Sequence, residues 1–213
     1  MFDYVLFDLD GTLTDPAEGI CNSFRYALRK FGIEERDEKR LLSFIGPPLA
    51  DSFETYGMSP EEIKTAIATY REYFNASGKF ENFVYPGVPE MLEALKTGGR
   101  KLAVATSKLE KFSLEILEHF GLRSYFDAVC GASTDEKRSR KGDVINYLLQ
   151  ELHFGDRADA VMVGDRFHDI LGAKEAGIRS IGVLYGYGDR KELTDAGADM
   201  IAAGVEELPG LIL

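Results

Sequence analysis

Cysteine is scarce in this chain: Cys21 and Cys130 are the two present in 213 residues. They stand far apart in apolar surroundings, with neither metal-ligand spacing nor a disulfide framework, so both are expected as buried thiols. No apolar run approaches the roughly 18 residues of a membrane span, and no basic start leads into an apolar stretch. A cytoplasmic protein with no membrane partner is the expectation. Internal repeats are lacking too, and 45% hydrophobic with 29% charged residues is ordinary for a chain that folds around its own core. Cations are in short supply: 25 Lys and Arg against 36 Asp and Glu give a net charge of -11. Such a field repels phosphate backbones, which argues against nucleic acid polymer as a partner. A small anionic ligand would need a local cation or metal to offset it.

What is present is a recurring pattern of short, β-branched apolar runs: "YVLF" at 4–7, "KLAVAT" at 101–106, "FDAVCG" at 126–131, "AVMVGD" at 160–165 and "SIGVLYG" at 180–186. Each reads as a buried strand. Helical patterns lie between the later ones, at 110–121, 142–154 and 168–177, with glycines where helices should stop. The alternation predicts an α/β fold, a parallel sheet with helices on both faces.

Residues 15–82 break the alternation, because only helical signals follow the first strand until about residue 101. Asp15, Pro16 and Glu18 read as an N-cap, a first-turn proline and a capping-box acid ahead of an amphipathic face from Ala17 to Phe31. Ser59, Pro60 and Glu62 repeat that start signal. The segment is expected to be an all-helical subdomain inserted after the first strand, with a return to the sheet near Pro86, Gly87 and Pro89. Inserted there, it would hang over the crevice where open α/β sheets bind ligands, as a lid.

The first strand ends in "DLDGT", with Asp8 and Asp10 two positions apart and therefore on one side of the strand. A pair like this has a plain structural reading, in which Asp10 caps a turn and Asp8 meets a core cation. A second apolar run ends in "VGDRFHD", carrying Asp165 and Asp169 to what should be the same sheet edge. Four carboxylates at one edge are costly unless a cation joins them, and Mg²⁺ is the ordinary oxygen-liganded choice. At a third strand end, Thr106 and Ser107 offer hydroxyls and amides to phosphoryl oxygens, and in the basic stretch 135–143 Lys141 is best placed to reach inward.

Asp8-Leu9-Asp10-Gly11-Thr12, then Thr106, then Lys141, then Gly164-Asp165 with Asp169 stand in the order of the four motifs of the haloacid dehalogenase superfamily of phosphohydrolases. The chain resembles that family along essentially its whole length, in the group with a small helical (C1-type) cap. "FDLDGTLTD", "FIGPPL" and "YGYG" are similar to the phosphoglycolate phosphatase-like members. The resemblance implies a Rossmann-like core from 1–14 and 83–213, a cap from 15–82, and a first strand lying between those that carry Thr106 and Asp165. It implies Asp8 as nucleophile and Asp10 as acid and base. Thr106, Ser107 and Lys141 would bind the transferring phosphate. Mg²⁺ would be held by the Asp8 side chain, the Asp10 carbonyl and Asp165, with Asp169 bonded directly or through water. The family lysine is commonly followed by proline, whereas Gly142 follows Lys141 here, with Lys137, Arg138 and Arg140 close by.

The implied reaction is Mg²⁺-dependent hydrolysis of a small phosphorylated metabolite, phosphoglycolate-like, through an aspartyl phosphate. A 5'-nucleotidase or pyrophosphatase on the same scaffold is the alternative, and a noncatalytic binding protein has no reason to keep these groups together. Asp10 argues against a dehalogenase, and oligomeric state has no sequence signal. His168 reads as a surface histidine at a helix start, and His119 and His153 as helix-end cations. "GVLYGYG" lacks dinucleotide-loop spacing and reads as a turn at the rim of the site. "IGPPL" at 45–49 is either a helix terminator or a substrate-contacting loop.

Overall fold

The computed structural model describes residues 1–134, 138, 140–151 and 157–213. Six strands form a parallel sheet: β1 (Tyr4–Phe7), β2 (Lys101–Leu109), β3 (Ala128–Ala132), β4 (Ala160–Gly164), β5 (Arg179–Val183) and β6 (Met200–Ala202), in the order β3-β2-β1-β4-β5-β6. This is the expected Rossmann-like α/β core. β1 lies between the strands that lead to Thr106 and Asp165, with Phe7 opposite Val104 on one side and Val163 on the other.

Alternation along the strands builds two separate apolar layers. Val5, Phe7, Leu102, Val104, Val161 and Val163 point to one face, where helices Val88–Thr97, Glu110–His119 and Leu208–Ile212 cover them. Leu6, Ala103, Ala105, Ala160 and Met162 point to the other, beneath Val144, Ile145, Leu148 and Leu149 of helix Lys141–Glu151 and Ala173 of helix Phe167–Glu175. Full burial of each large aliphatic contributes roughly 1.5–3 kcal/mol before chain entropy is counted. A strand buried on both faces has no polar positions left, which is why these segments read as continuous apolar runs.

The chain divides into two compact units, Met1–Asp15 with Val84–Leu213, and Pro16–Phe83. The second is built from helices Ala17–Arg29, Glu38–Leu42, Leu49–Glu54 and Pro60–Tyr73 around Phe24, whose ring centroid lies 4.9 Å from that of Phe44 and 5.0 Å from those of Phe53 and Tyr70. Ser59 and Glu62 form the expected capping box. The other expected start differs: Pro16 occupies the N-cap position without a side-chain cap, because the Asp15 carboxylate accepts from the Tyr187 hydroxyl instead. "IGPPL" separates helices Glu38–Leu42 and Leu49–Glu54, with Gly46 at φ 104°.

Some elements had no counterpart in the sequence reading. Two-residue strands at Thr14–Asp15 and Phe83–Val84 precede β2, and helix Arg190–Ala196 with β6 follows "GVLYGYG". The helix expected over 142–154 runs Lys141–Glu151; positions 152–154, with His153, and Lys137 lie outside the described residues. Cys21 and Cys130 are buried and neither forms a disulfide. None of the described helices is long and apolar enough to cross a membrane.

Candidate active site

Parallel pairing brings the acids together. The Asp8 N–H donates to the Val163 carbonyl at 2.9 Å, so the residue after β1 lies beside the end of β4, where Asp165 follows Gly164. Asp169 stands in the first turn of helix Phe167–Glu175, its Oδ2 accepting from the Arg166 N–H at 3.1 Å. One carboxylate oxygen each from Asp8, Asp165 and Asp169 falls within 4.8 Å of the others.

Lys141, the first residue of its helix, reaches the same point. Its Nζ lies 2.7 Å from Asp8 Oδ1 and 2.8 Å from Asp169 Oδ1, and donates to the Ala105 carbonyl at 3.0 Å. The ammonium therefore sits between two carboxylates while a hydrogen bond goes to the backbone. Arg138 goes elsewhere, to Glu110 and the Gly131 carbonyl, and Arg140 is exposed.

Asp165 is fully buried and Asp169, at 1% exposure, nearly so. Burial, then repulsion from Asp169 and Asp8, raises the Asp165 carboxyl well above the usual range; burial likewise pushes Asp169 up to about 6 against the pull of Lys141. Burial works to lower Lys141, yet Asp169 and Asp8 overcome it and the ammonium is held protonated. One cation among three clustered acids leaves an excess of negative charge, and every other donor is a hard oxygen. That set suits Mg²⁺, so the residues present fit the ion implied by the sequence.

Asp165 is gripped from several sides. Its Oδ2 accepts the Tyr187 N–H at 2.8 Å and its Oδ1 the Thr12 hydroxyl at 3.4 Å. Gly11, at φ 82°, and Gly186 touch it so closely that a Cβ would come within 2.2 Å and 2.4 Å of Asp165 atoms. Only glycine fits at either position.

Asp10 stands apart from this cluster. Its Oδ2 is 2.5 Å from Lys108 Nζ, and burial raises its carboxyl despite that ammonium. Thr106 is buried within β2, just past Ala105, where its Oγ1 accepts the Lys108 N–H at 3.3 Å, and Ser107 is half-buried next to it. The structure thus joins Asp8, Lys141, Asp165 and Asp169 directly, pairs Asp10 with Lys108, and leaves Thr106 and Ser107 on the adjacent strand. His168 is half-buried behind Phe167, its imidazole lowered chiefly by that burial.

Three contributors escaped the sequence reading. Lys108 stood two residues past Thr106 in a stretch already singled out, a usable signal. Thr12 stands in the first motif without a role assigned to it there, and its hydroxyl donates to Asp165. Tyr187 acts through its backbone N–H, which no side-chain pattern encodes.

Residues 5–183 match the family model described as haloacid dehalogenase-like hydrolase. A 5'-nucleotidase of Pseudomonas aeruginosa is 46% identical over 190 residues, 89% of this chain and 86% of that protein. Tyrosine-protein kinase PtkA of Mycobacterium tuberculosis is 40% identical over 208 residues, 96% of this chain and 70% of that protein. A crystal structure described as a predicted phosphatase from Clostridium acetobutylicum superposes with a TM-score of 0.94 at 50% identity, covering 100% of this chain and 98% of that one. A match over most of the chain, relatives at this identity and the acid cluster at the ends of β1 and β4 lead to one assignment: the chain belongs to the haloacid dehalogenase-like hydrolase family.

Proposed function

We propose that the protein is a Mg²⁺-dependent phosphatase acting on small phosphomonoesters through an aspartyl phosphate at Asp8. The observation that carries this reading is the convergence of Asp8, Asp165 and Asp169 on one point with Lys141 bridging two of them. The Leu9 N–H, at 2.8 Å, and Lys141 hold Asp8 Oδ1, which leaves Oδ2 to attack phosphorus. As that P–O bond forms, the ester P–O bond breaks and the departing oxygen takes a proton from Asp10. Water then attacks phosphorus, gives its proton to Asp10, and releases phosphate with Asp8 restored. Mg²⁺, held by Asp8, the Asp10 carbonyl and Asp165, with Asp169 directly or through water, would neutralise charge so that one anion can approach another. Thr106, the Ser107 amide and Lys141 would take the equatorial phosphoryl oxygens.

The phosphoglycolate-like resemblance favours a short anionic ester, and the 5'-nucleotidase relative makes nucleoside monophosphates the second reading. The kinase relative bears on the acceptor, and water is the acceptor if inorganic phosphate accounts for all the ester consumed. The test is phosphate release from phosphoglycolate, nucleoside monophosphates and pyrophosphate, with Mg²⁺ and with chelator. Asp8→Asn should cut kcat by roughly 10³-fold or more while the melting temperature holds or rises. An unchanged rate refutes the nucleophile, and release that persists in chelator refutes the metal.

A further inference from the structure

Lys108 has no part in the mechanism above, yet its side chain is only 9% exposed and its ammonium meets Asp10 Oδ2. The strand is irregular there. β2 pairs with β3 through Ala105 opposite Cys130 and again through Leu109 opposite Ala132, so four steps on one strand match two on the other. Bulges of this kind re-aim side chains beside active sites, and the extra residues fall at Thr106, Ser107 and Lys108. The Lys108 N–H donates to Thr106 Oγ1, which ties the turn at Lys108 to the residue beside it.

The second oxygen of Asp10, Oδ1, is buried and has no hydrogen-bond partner among the described residues. A carboxylate turns through a broad torsional well, so a charge-assisted bond to one oxygen decides where the other points. We infer that Lys108 is the positioning residue of the acid–base step, gripping Oδ2 of Asp10 so that Oδ1 faces the departing oxygen. The proton given up as the ester P–O bond breaks leaves from Oδ1, and the proton of the attacking water returns to it. This inference rests on the phosphatase reading and adds a residue to it.

A positioned general acid matters most where the leaving group is a poor one. The readout is therefore the ratio of kcat/KM for 4-nitrophenyl phosphate, whose phenolate departs with little help, to that for glycerol 2-phosphate, whose alkoxide needs a proton. General acids supply roughly 10²–10⁴-fold, so losing the grip on Asp10 in Lys108→Met should raise this ratio at least about tenfold. Lys108→Arg should restore part of it. In an Asp10→Asn background, which raises the ratio alone, Lys108→Met should raise it no further. Should Lys108→Met fail to give a cooperative melt, Lys108→Gln carries the same comparison.

An unchanged or lowered ratio overturns the inference. So does a loss confined to phosphoglycolate while glycerol 2-phosphate keeps pace with the aryl ester, because Lys108 would then be reading the leaving group's own charge. If the wild-type protein releases phosphate from none of the three esters and from no nucleoside monophosphate, the phosphatase reading itself has failed and the positioning role falls with it.

Discussion

The two units place their charges in opposite ways. In Met1–Asp15 with Val84–Leu213, Asp8, Lys141, Asp165 and Asp169 are buried; in Pro16–Phe83 the buried polar side chains are Ser23, Ser52 and Thr69, and none of the described charged residues is buried. The helical unit keeps its ions outside, in pairs such as Arg25 with Glu38 and Lys30 with Glu72, and fills its centre with the rings around Phe24. Surface pairs of this sort are worth little, whereas buried aromatic pairs each add roughly 0.5–1.5 kcal/mol beyond area. The helical unit is thus organised for stability. The sheet unit spends part of the stability of its apolar layers on holding unlike and like charges out of water, which is the condition under which those charges can act on a ligand.

The sharpest way to break this contrast is Phe24→Ala, which should cost about 3–5 kcal/mol in urea unfolding, since Phe24 is fully buried among three other rings. A loss under about 1 kcal/mol would show that the rings do not anchor the helical unit.

The second probe is Mg²⁺ added during thermal melting at two pH values. Burial, then neighbouring charge, sets the Asp165 and Asp169 carboxyls above their unfolded values, Asp169 at about 6. A raised acid favours the folded state while protonated. That contribution is complete below about pH 4, the unfolded value, and is lost as pH rises through the folded value. Mg²⁺ meets a largely protonated Asp169 at pH 5 and its bare carboxylate at pH 8. Its stabilisation should therefore be larger at pH 8, about 2.7 kcal/mol at a hundredfold excess over the dissociation constant. Equal shifts at both pH values would contradict a metal seated on these acids.

The mildest probe is Lys30→Ala, which removes an ion pair whose members are 52% and 55% exposed. The expected change in unfolding free energy is under about 0.5 kcal/mol. A larger change would mean that the helical unit also relies on its charges.

These differences bear on what could be read from sequence. Strands buried on both faces announce themselves, so β1, β2, β4 and β5 were legible from composition alone. Asp8, Asp10, Asp165 and Asp169 were legible because each follows an apolar run, and a parallel sheet aligns such ends. Lys141 was legible as the residue at a helix entrance. Lys108 was not, because its direction depends on the irregular pairing of β2 with β3, which no linear pattern specifies. Nor was the grip of Tyr187 on Asp165, which uses a backbone N–H supplied by the turn of the chain. The misplaced cap at Asp15 has the same origin, since a tertiary partner, Tyr187, outcompeted the local one.

The position of β1 also shapes how the protein is made. Its neighbours begin at Lys101 and Ala160, so Tyr4 leaves the ribosome 156 residues (160 − 4) ahead of its second pairing partner. At about 5–20 residues per second that is a wait of roughly 8–30 s. The 68 residues from 16 to 83 (83 − 16 + 1) emerge as one continuous stretch in that interval and can fold on their own contacts. The fully apolar Val5–Phe7 segment has no strand to pair with until β2 emerges, 97 residues (101 − 4) behind it, and keeps one open edge until β4 follows. The growing chain is therefore the stage at which this protein is most exposed to aggregation, and chaperone shielding of its first strand matters more during synthesis than after release.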